Sequence, residues 1–249
     1  MMRKIVLSLL AVAAPGWLAL SASVSGDALG SVTYEVRFQS KGLDTKVAYA
    51  TVSLENAQWN QQKVQHAHAV IRASSIFRLF LKAEYLADAY LTPDGGRPLY
   101  YMNPVYRAGK VGKFECVYDH GAGTVTSVFL RPPADAVETV IPMDVQTMDL
   151  LSLLQYVRFL ELPAGRTLPM QVLKEGRSLP ATLTSQGPDS ERYPGLTAER
   201  FLLSLTEGGL MENGSGNRIS VWRSGGSDRK LLGLEVNLGS GVMVVSVKQ

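Results

Sequence analysis

Apolar and polar residues alternate along most of this chain. Over residues 31–39, Val32, Tyr34, Val36 and Phe38 fall on one side and Thr33, Glu35 and Arg37 on the other. That is the period of a strand with one face buried. Residues 47–54 and 63–72 repeat it, and Ser40-Lys41-Gly42 reads as the hairpin turn between the first two strands. Residues 83–92 and 97–106 flank Pro93-Asp94-Gly95-Gly96, where proline presets φ and glycine accepts a positive one. Residues 113–118 and 124–130 flank a second glycine-bearing turn. Further strands are predicted over residues 167–174, 178–185, 196–206, 218–224, 230–237 and 242–248. Residues 74–81 read either as a helical turn or as an irregular crossing that brings Ile76, Phe77, Leu79 and Phe80 inward.

One segment breaks the rhythm. Between Pro142 and Pro163 the period lengthens to about 3.6. Leu150, Leu153, Leu154 and Val157 then share a face, with Leu151 and Leu160 at its borders and Asp149, Ser152 and Gln155 opposite. The pattern predicts one amphipathic helix over residues 144–160, capped by Asp144 or Thr147 and ended by Pro163-Ala164-Gly165. About a dozen strands with a single helix imply a mainly β fold. The expected architecture is a curved antiparallel sheet, or an incomplete β-barrel or sandwich, with the helix packed on its concave side.

The first residues follow a different logic. Arg3 and Lys4 precede an apolar run from Ile5 to Leu20, and Ser21, Ala22 and Ser23 follow. This is the form of a secretory signal peptide. The run is short of the roughly 20 residues of a bilayer span. We expect residues 1–25 to be the signal, with cleavage after Ser23 or Ser25, and residues 26–249 to form a single β-rich domain. The competing reading is an uncleaved anchor. No later stretch is as long and uncharged, so no transmembrane segment is expected in the mature chain, which would be periplasmic or secreted. The lone cysteine, Cys116, excludes an internal disulfide and a multi-cysteine metal site. The net charge of +3 includes Arg3 and Lys4. The mature domain is thus near neutral and carries no electrostatic signature of a nucleic-acid partner.

Candidate chemistry is sparse. His66 and His68 project from one face of a strand and would hold a metal only if a neighbouring strand supplied a third ligand. The commoner reading is a solvated strand face. Cys116, between Phe114 and Tyr118, reads as a small core residue, and Glu84 with Asp88 as surface charge. Ser215 and Ser240 sit between glycines in ordinary turns, and Gly121-Ala122-Gly123 lacks the helix of a phosphate loop. No catalytic residue, metal or cofactor is expected, and the chain does not read as an enzyme. Tyrosines are more suggestive. Tyr85, Tyr90, Tyr100, Tyr101 and Tyr106 crowd one hairpin just after Phe77 and Phe80. They either line a concave apolar pocket or pack the sheet against the helix. The pocket reading gives a ligand-binding set of Phe77, Phe80, Tyr85, Tyr90, Tyr100, Leu150 and Leu154, for a lipid or other apolar ligand.

The order of segments also resembles a known family. The opening is Tyr34-Glu35-Val36-Arg37-Phe38, followed by Ser74-Ser75-Ile76-Phe77 and by Leu91-Thr92-Pro93 ahead of Pro98-Leu99-Tyr100. Lys113-Phe114-Glu115 then leads to Tyr118-Asp119-His120. The segment from Thr147 to Arg158 and the strand around Trp222 complete the likeness. Over residues 32–248 the chain is similar to an exported bacterial family of uncharacterised domains, domain-of-unknown-function family 3108. It departs from the family pattern at Leu91-Thr92-Pro93, where an aspartate is usual, and at Arg192-Tyr193-Pro194-Gly195-Leu196. The resemblance implies a secreted or periplasmic β protein of unknown role and brings no catalytic residues. Two functions are in view: a non-enzymatic envelope protein binding an apolar ligand between helix and sheet, or a cell-envelope interaction or assembly module. A third, an enzyme acting on envelope polymers, requires perturbed carboxylates gathered in one cleft.

Overall fold

A computed structural model describes residues 28–74, 84–107, 110–130, 134–143, 145–207, 209, 216–227 and 229–248. The strands are β1 (Ala28–Ser40), β2 (Leu43–Trp59), β3 (Gln62–Ala73), β4 (Glu84–Leu91), β5 (Pro98–Arg107), β6 (Lys110–Asp119), β7 (Thr124–Leu130), β8 (Val137–Pro142), β9 (Gln146–Asp149), β10 (Thr167–Lys174), β11 (Arg177–Pro188), β12 (Ala198–Leu205), β13 (Arg218–Ser224), β14 (Leu231–Asn237) and β15 (Val242–Val247). The described residues contain one helix, α1 (Leu150–Phe159), between β9 and β10. The fold is mainly β, as the alternating pattern predicts.

All fifteen strands join one sheet, in the order β8-β7-β6-β5-β4-β3-β2-β1-β15-β14-β13-β12-β11-β10-β9. Neighbours pair antiparallel except β9 with β10, which α1 connects in parallel. The order dictates strong curvature. Laid flat at roughly 4.8 Å per strand, the sheet would span about 67 Å. Yet its two edges, β8 and β9, are consecutive in sequence. Pro142 and Gln146 are four residues apart, which limits their separation to roughly 14 Å. The sheet therefore curls until its edges approach each other.

The edges overlap rather than pair. Met148 and Val172 point into the core formed with Tyr34, Val36, Phe201 and Val221. Leu173, on the opposite side of β10, is buried with Phe114, Cys116, Tyr118 and Val125 on the inner face of β6 and β7. Gly176, in the β10–β11 turn, lies against Phe129 of β7. Glu175 and Gly176 have φ of 47° and 78°, the left-handed pair a two-residue hairpin turn requires. The sheet is thus rolled like a scroll, with β9 and β10 tucked inside β6 and β7. Tucking covers an edge that would otherwise present open hydrogen-bonding groups.

The helix is shorter than the periodicity predicts. Residues 146–149 are the strand β9, so Asp149 rather than Thr147 caps the helix, accepting from Ser152 N at 2.8 Å, and Asp144 lies outside the described residues. Pairing with β10 satisfies backbone groups that an extra helical turn would have withdrawn from the sheet edge. Ser152 and Gln155, assigned to the polar side, are buried as completely as Leu153 and Val157, because the roll encloses the helix on several sides. Gln155 accepts from Arg158 at 2.9 Å.

Both helix ends are tied down. Tyr118 of β6 bonds Asp149 through its hydroxyl, which receives Asp149 N at 2.9 Å and donates to Asp149 Oδ2 at 3.1 Å. At the other end Arg223 Nη1 of β13 donates to the carbonyls of Val157, Arg158 and Leu160. These are last-turn carbonyls without helical partners, and a cation is favoured there. Glu199 holds the same guanidinium from the far side.

Candidate functional site

Two faces of β2–β4 carry different chemistry because side chains alternate. On the inner face Ala67, Ala69, Ala87 and Ala89 are buried with Leu151 of α1. Alanine at every second position leaves room for the helix, which contacts β3 and β4 directly. Val52, Ile71 and Tyr85 stay half-buried on this face, as do Leu150 and Leu154 on the helix. The strip is apolar, with polar atoms at one end. Asn103 Nδ2 donates to the hydroxyls of Tyr85 and Tyr101, while Asn103 Oδ1 has no partner among the described residues. Nearby Asp149 is fully buried, and that burial pushes its carboxyl up to about 6 despite donors from Ser152 and Tyr118. Cys116 is also in this core, its thiol driven up by burial.

On the outer face the same strands carry His66 and His68 on β3, Asp88 and Tyr90 on β4, and Glu55 and Trp59 on β2. His68 pairs across the ladder with Asp88, and His66 with Tyr90 and Glu55. Both rings reach one carboxylate oxygen: His66 Nε2 and His68 Nδ1 each lie 2.8 Å from Asp88 Oδ1. The second ring nitrogen of His66, Nδ1, is 2.9 Å from Glu55 Oε1. Tyr90 stacks on the His66 ring at 4.5 Å and 11°. Trp59, beside the Asn60-Gln61 turn, leans over Tyr90 and Tyr100 with centroids 6.0 and 5.7 Å away. Tyr100 donates to Glu115 at 2.7 Å. Burial pulls the His66 pKa down, but the Asp88 and Glu55 carboxylates outweigh it and raise it. Burial likewise raises Asp88, yet hydrogen bonds from His66 and His68 prevail and hold it at about 2.

The residues predicted to line one pocket divide between these faces. Tyr85, Leu150 and Leu154 belong to the inner strip. Tyr90 and Tyr100 are cross-strand partners on the outer face, which α1 does not reach. The reason is parity: Tyr85 and Tyr90 are five positions apart on one strand, so they point oppositely. Phe77 and Phe80 lie outside the described residues. Sequence reasoning paired His66 with His68 but missed Asp88 as their neighbour and Glu55 as their support. The glutamate needs the β2–β3 register, in which Glu55 faces His66. His120, the third histidine, stacks on Tyr118 and meets the Pro98 carbonyl.

A protein-family model described as a protein of unknown function, DUF3108, matches residues 33–246. This chain belongs to the DUF3108 family. The match takes in most of the sheet, the helix and both faces described above. No curated protein matches this DUF3108 chain. Among solved structures it is similar to a beta-barrel-like protein of domain of unknown function DUF1849 from Brucella abortus. The two share 8% identity with a TM-score of 0.52, over 88% of this chain and 95% of that one. A likeness at that identity concerns the fold alone, and it agrees with a sheet rolled almost shut. Among the described residues no helix is long and apolar enough to cross a membrane.

Proposed function

We propose that this DUF3108 protein is an exported, non-enzymatic component of the bacterial cell envelope, periplasmic or secreted. In this reading it takes a lipid-like or other apolar ligand into the roll, between α1 and the sheet. The supporting observation is that Leu150 and Leu154 stay half-buried beside the fully buried Leu151, Leu153 and Val157 of the same helix, facing Val52, Ile71 and Tyr85, which are half-buried on the sheet. Covering a half-buried leucine contributes about 1 kcal/mol. The basic start and apolar run of residues 3–20 support export. The two strongly shifted carboxylates, Asp88 and Asp149, lie on opposite faces rather than in one cleft, which favours binding over hydrolysis.

The test is native mass spectrometry of the chain purified from its envelope fraction. A co-purifying amphiphile is expected, and it should be lost from a Leu150→Gln, Leu154→Gln double variant that melts like the parent. A ligand-free parent would refute the carrier. Separately, residues 1–25 fused to a phosphatase active only outside the cytoplasm should give activity, and silence would refute export.

A second reading, an envelope assembly module, draws on β8. This strand is the sheet's outer edge, and Val137 and Val140 are 58% and 60% exposed on it. Free edges of this kind accept an added strand. Pull-down from envelope extracts should then recover a partner that Val140→Lys releases.

A further inference from the structure

We infer that the outer face of β3 and β4 binds one divalent transition-metal ion, with His66 Nε2, His68 Nδ1 and Asp88 as ligands and Glu55 holding His66 from behind. The three donor atoms lie within 4.8 Å of one another, and they come from rigid, adjacent strands rather than loops. Positions 66 and 68 share a face because strand side chains repeat every two residues. Asp88 is brought opposite His68 by the ladder. Two imidazoles with one carboxylate suit Zn(II) and its neighbours better than magnesium or calcium, which favour all-oxygen sites.

Ligand orientation is what separates this cluster from a chance ion pair. A metal-bound histidine usually gives its other ring N–H to a carboxylate, which fixes the tautomer and ring angle. His66 has that arrangement: Glu55 sits 2.9 Å from Nδ1, so Nε2 is the nitrogen turned to the space shared with His68 and Asp88. Tyr90, stacked on the same ring, stops it swinging away. In the structure both ring nitrogens crowd one oxygen of Asp88, each at 2.8 Å. Metal–ligand bonds of roughly 2.0–2.2 Å require the donors to part by a few tenths of an ångström. His68, whose side chain is 36% exposed, has the freedom to do so. Three protein ligands leave a coordination position open to solvent.

The experiment uses the purified, untagged chain titrated with Co(II), then challenged with Zn(II). We expect one equivalent of Co(II) with a visible ligand-field band that Zn(II) displaces. His68→Ala and Asp88→Asn should abolish the band, and Glu55→Gln should weaken binding about 10- to 100-fold. Circular dichroism of the metal-free variants checks folding. His68→Ala removes a part-exposed ring, so it decides the matter if Asp88→Asn does not fold. Failure of the parent to bind Co(II), or binding undiminished in folded His68→Ala, would overturn the assignment.

Discussion

Asp88 and Asp149 are both carboxylates withdrawn from bulk water, yet the fold drives them in opposite directions. Asp88 accepts from two imidazoles on the outer face and stays ionised down to about pH 2. Asp149 has only neutral donors, the Ser152 amide and hydroxyl and the Tyr118 hydroxyl, and burial lifts it to about 6. The contrast shows what decides a buried acid's state. Hydrogen bonds from neutral groups do not offset the complete burial of Asp149, whereas partners able to carry positive charge keep the less buried Asp88 ionised. One acid is built for charge, the other for architecture.

The largest expected effect comes from adding a third acid with neither device. Leu153, 1% exposed on the helix, touches apolar neighbours, so Leu153→Asp should abolish soluble expression; normal yield and melting would refute the packing described. Next comes removal of the structural acid. Asp149→Ala deletes the helix cap and unpairs Tyr118 inside the core, at about 3 kcal/mol. Asp88→Ala, on the part-exposed face, should cost less, about 1–2 kcal/mol, because the freed histidine rings can turn to water. Urea denaturation of both tests the contrast, and equal losses would break it.

A buried-volume version follows. Ala89→Leu should destabilise by about 1–3 kcal/mol by pushing on the helix, while His68→Leu on the outer face should melt near the parent temperature.

The pH dependence is the smallest and most specific signal. Asp149 binds its proton more tightly folded than unfolded, where the value is 3.8. Its contribution is therefore full below about pH 4 and disappears as pH rises through about 6. Asp88 behaves oppositely: its contribution is present above 3.8 and is lost as pH falls toward about 2. The raised His66 adds stability below 6.5 that fades as pH climbs past its folded value. Stability profiles of the parent and of Asp149→Asn should hence diverge between pH 4 and 6, by up to on the order of 3 kcal/mol. Parallel profiles would refute the shift.

Most of the sheet was legible in the sequence because period-two alternation follows directly from one wet face. Residues 31–39 and 218–224, read as strands, lie within β1 and β13. What escaped was everything set by the roll. β8 and β9 are short edge strands with little alternation, and β9 was absorbed into the helix because Leu150 follows it without a break. Ser152 and Gln155 obeyed helical periodicity but not the expectation of exposure, since a scroll has no outside at its centre. The inner alanines were a readable signal that went unused: Ala67-His68-Ala69 and Ala87-Asp88-Ala89 alternate small with polar, marking a helix bed on one side and a polar cluster on the other. The cluster itself needed register, which no single strand contains.

The strand order has a consequence for how the chain comes together. β15 is synthesised after the other fourteen strands, yet it is stitched between β1 and β14 in the interior of the sheet, with Tyr34 opposite Val247. Until it arrives, two meanders, linked only through β8–β9 and the tucked helix, have raw margins at β1 and β14. Trimming so few residues as 242–248 would not shorten the molecule at its rim; it would unzip it along an inner seam.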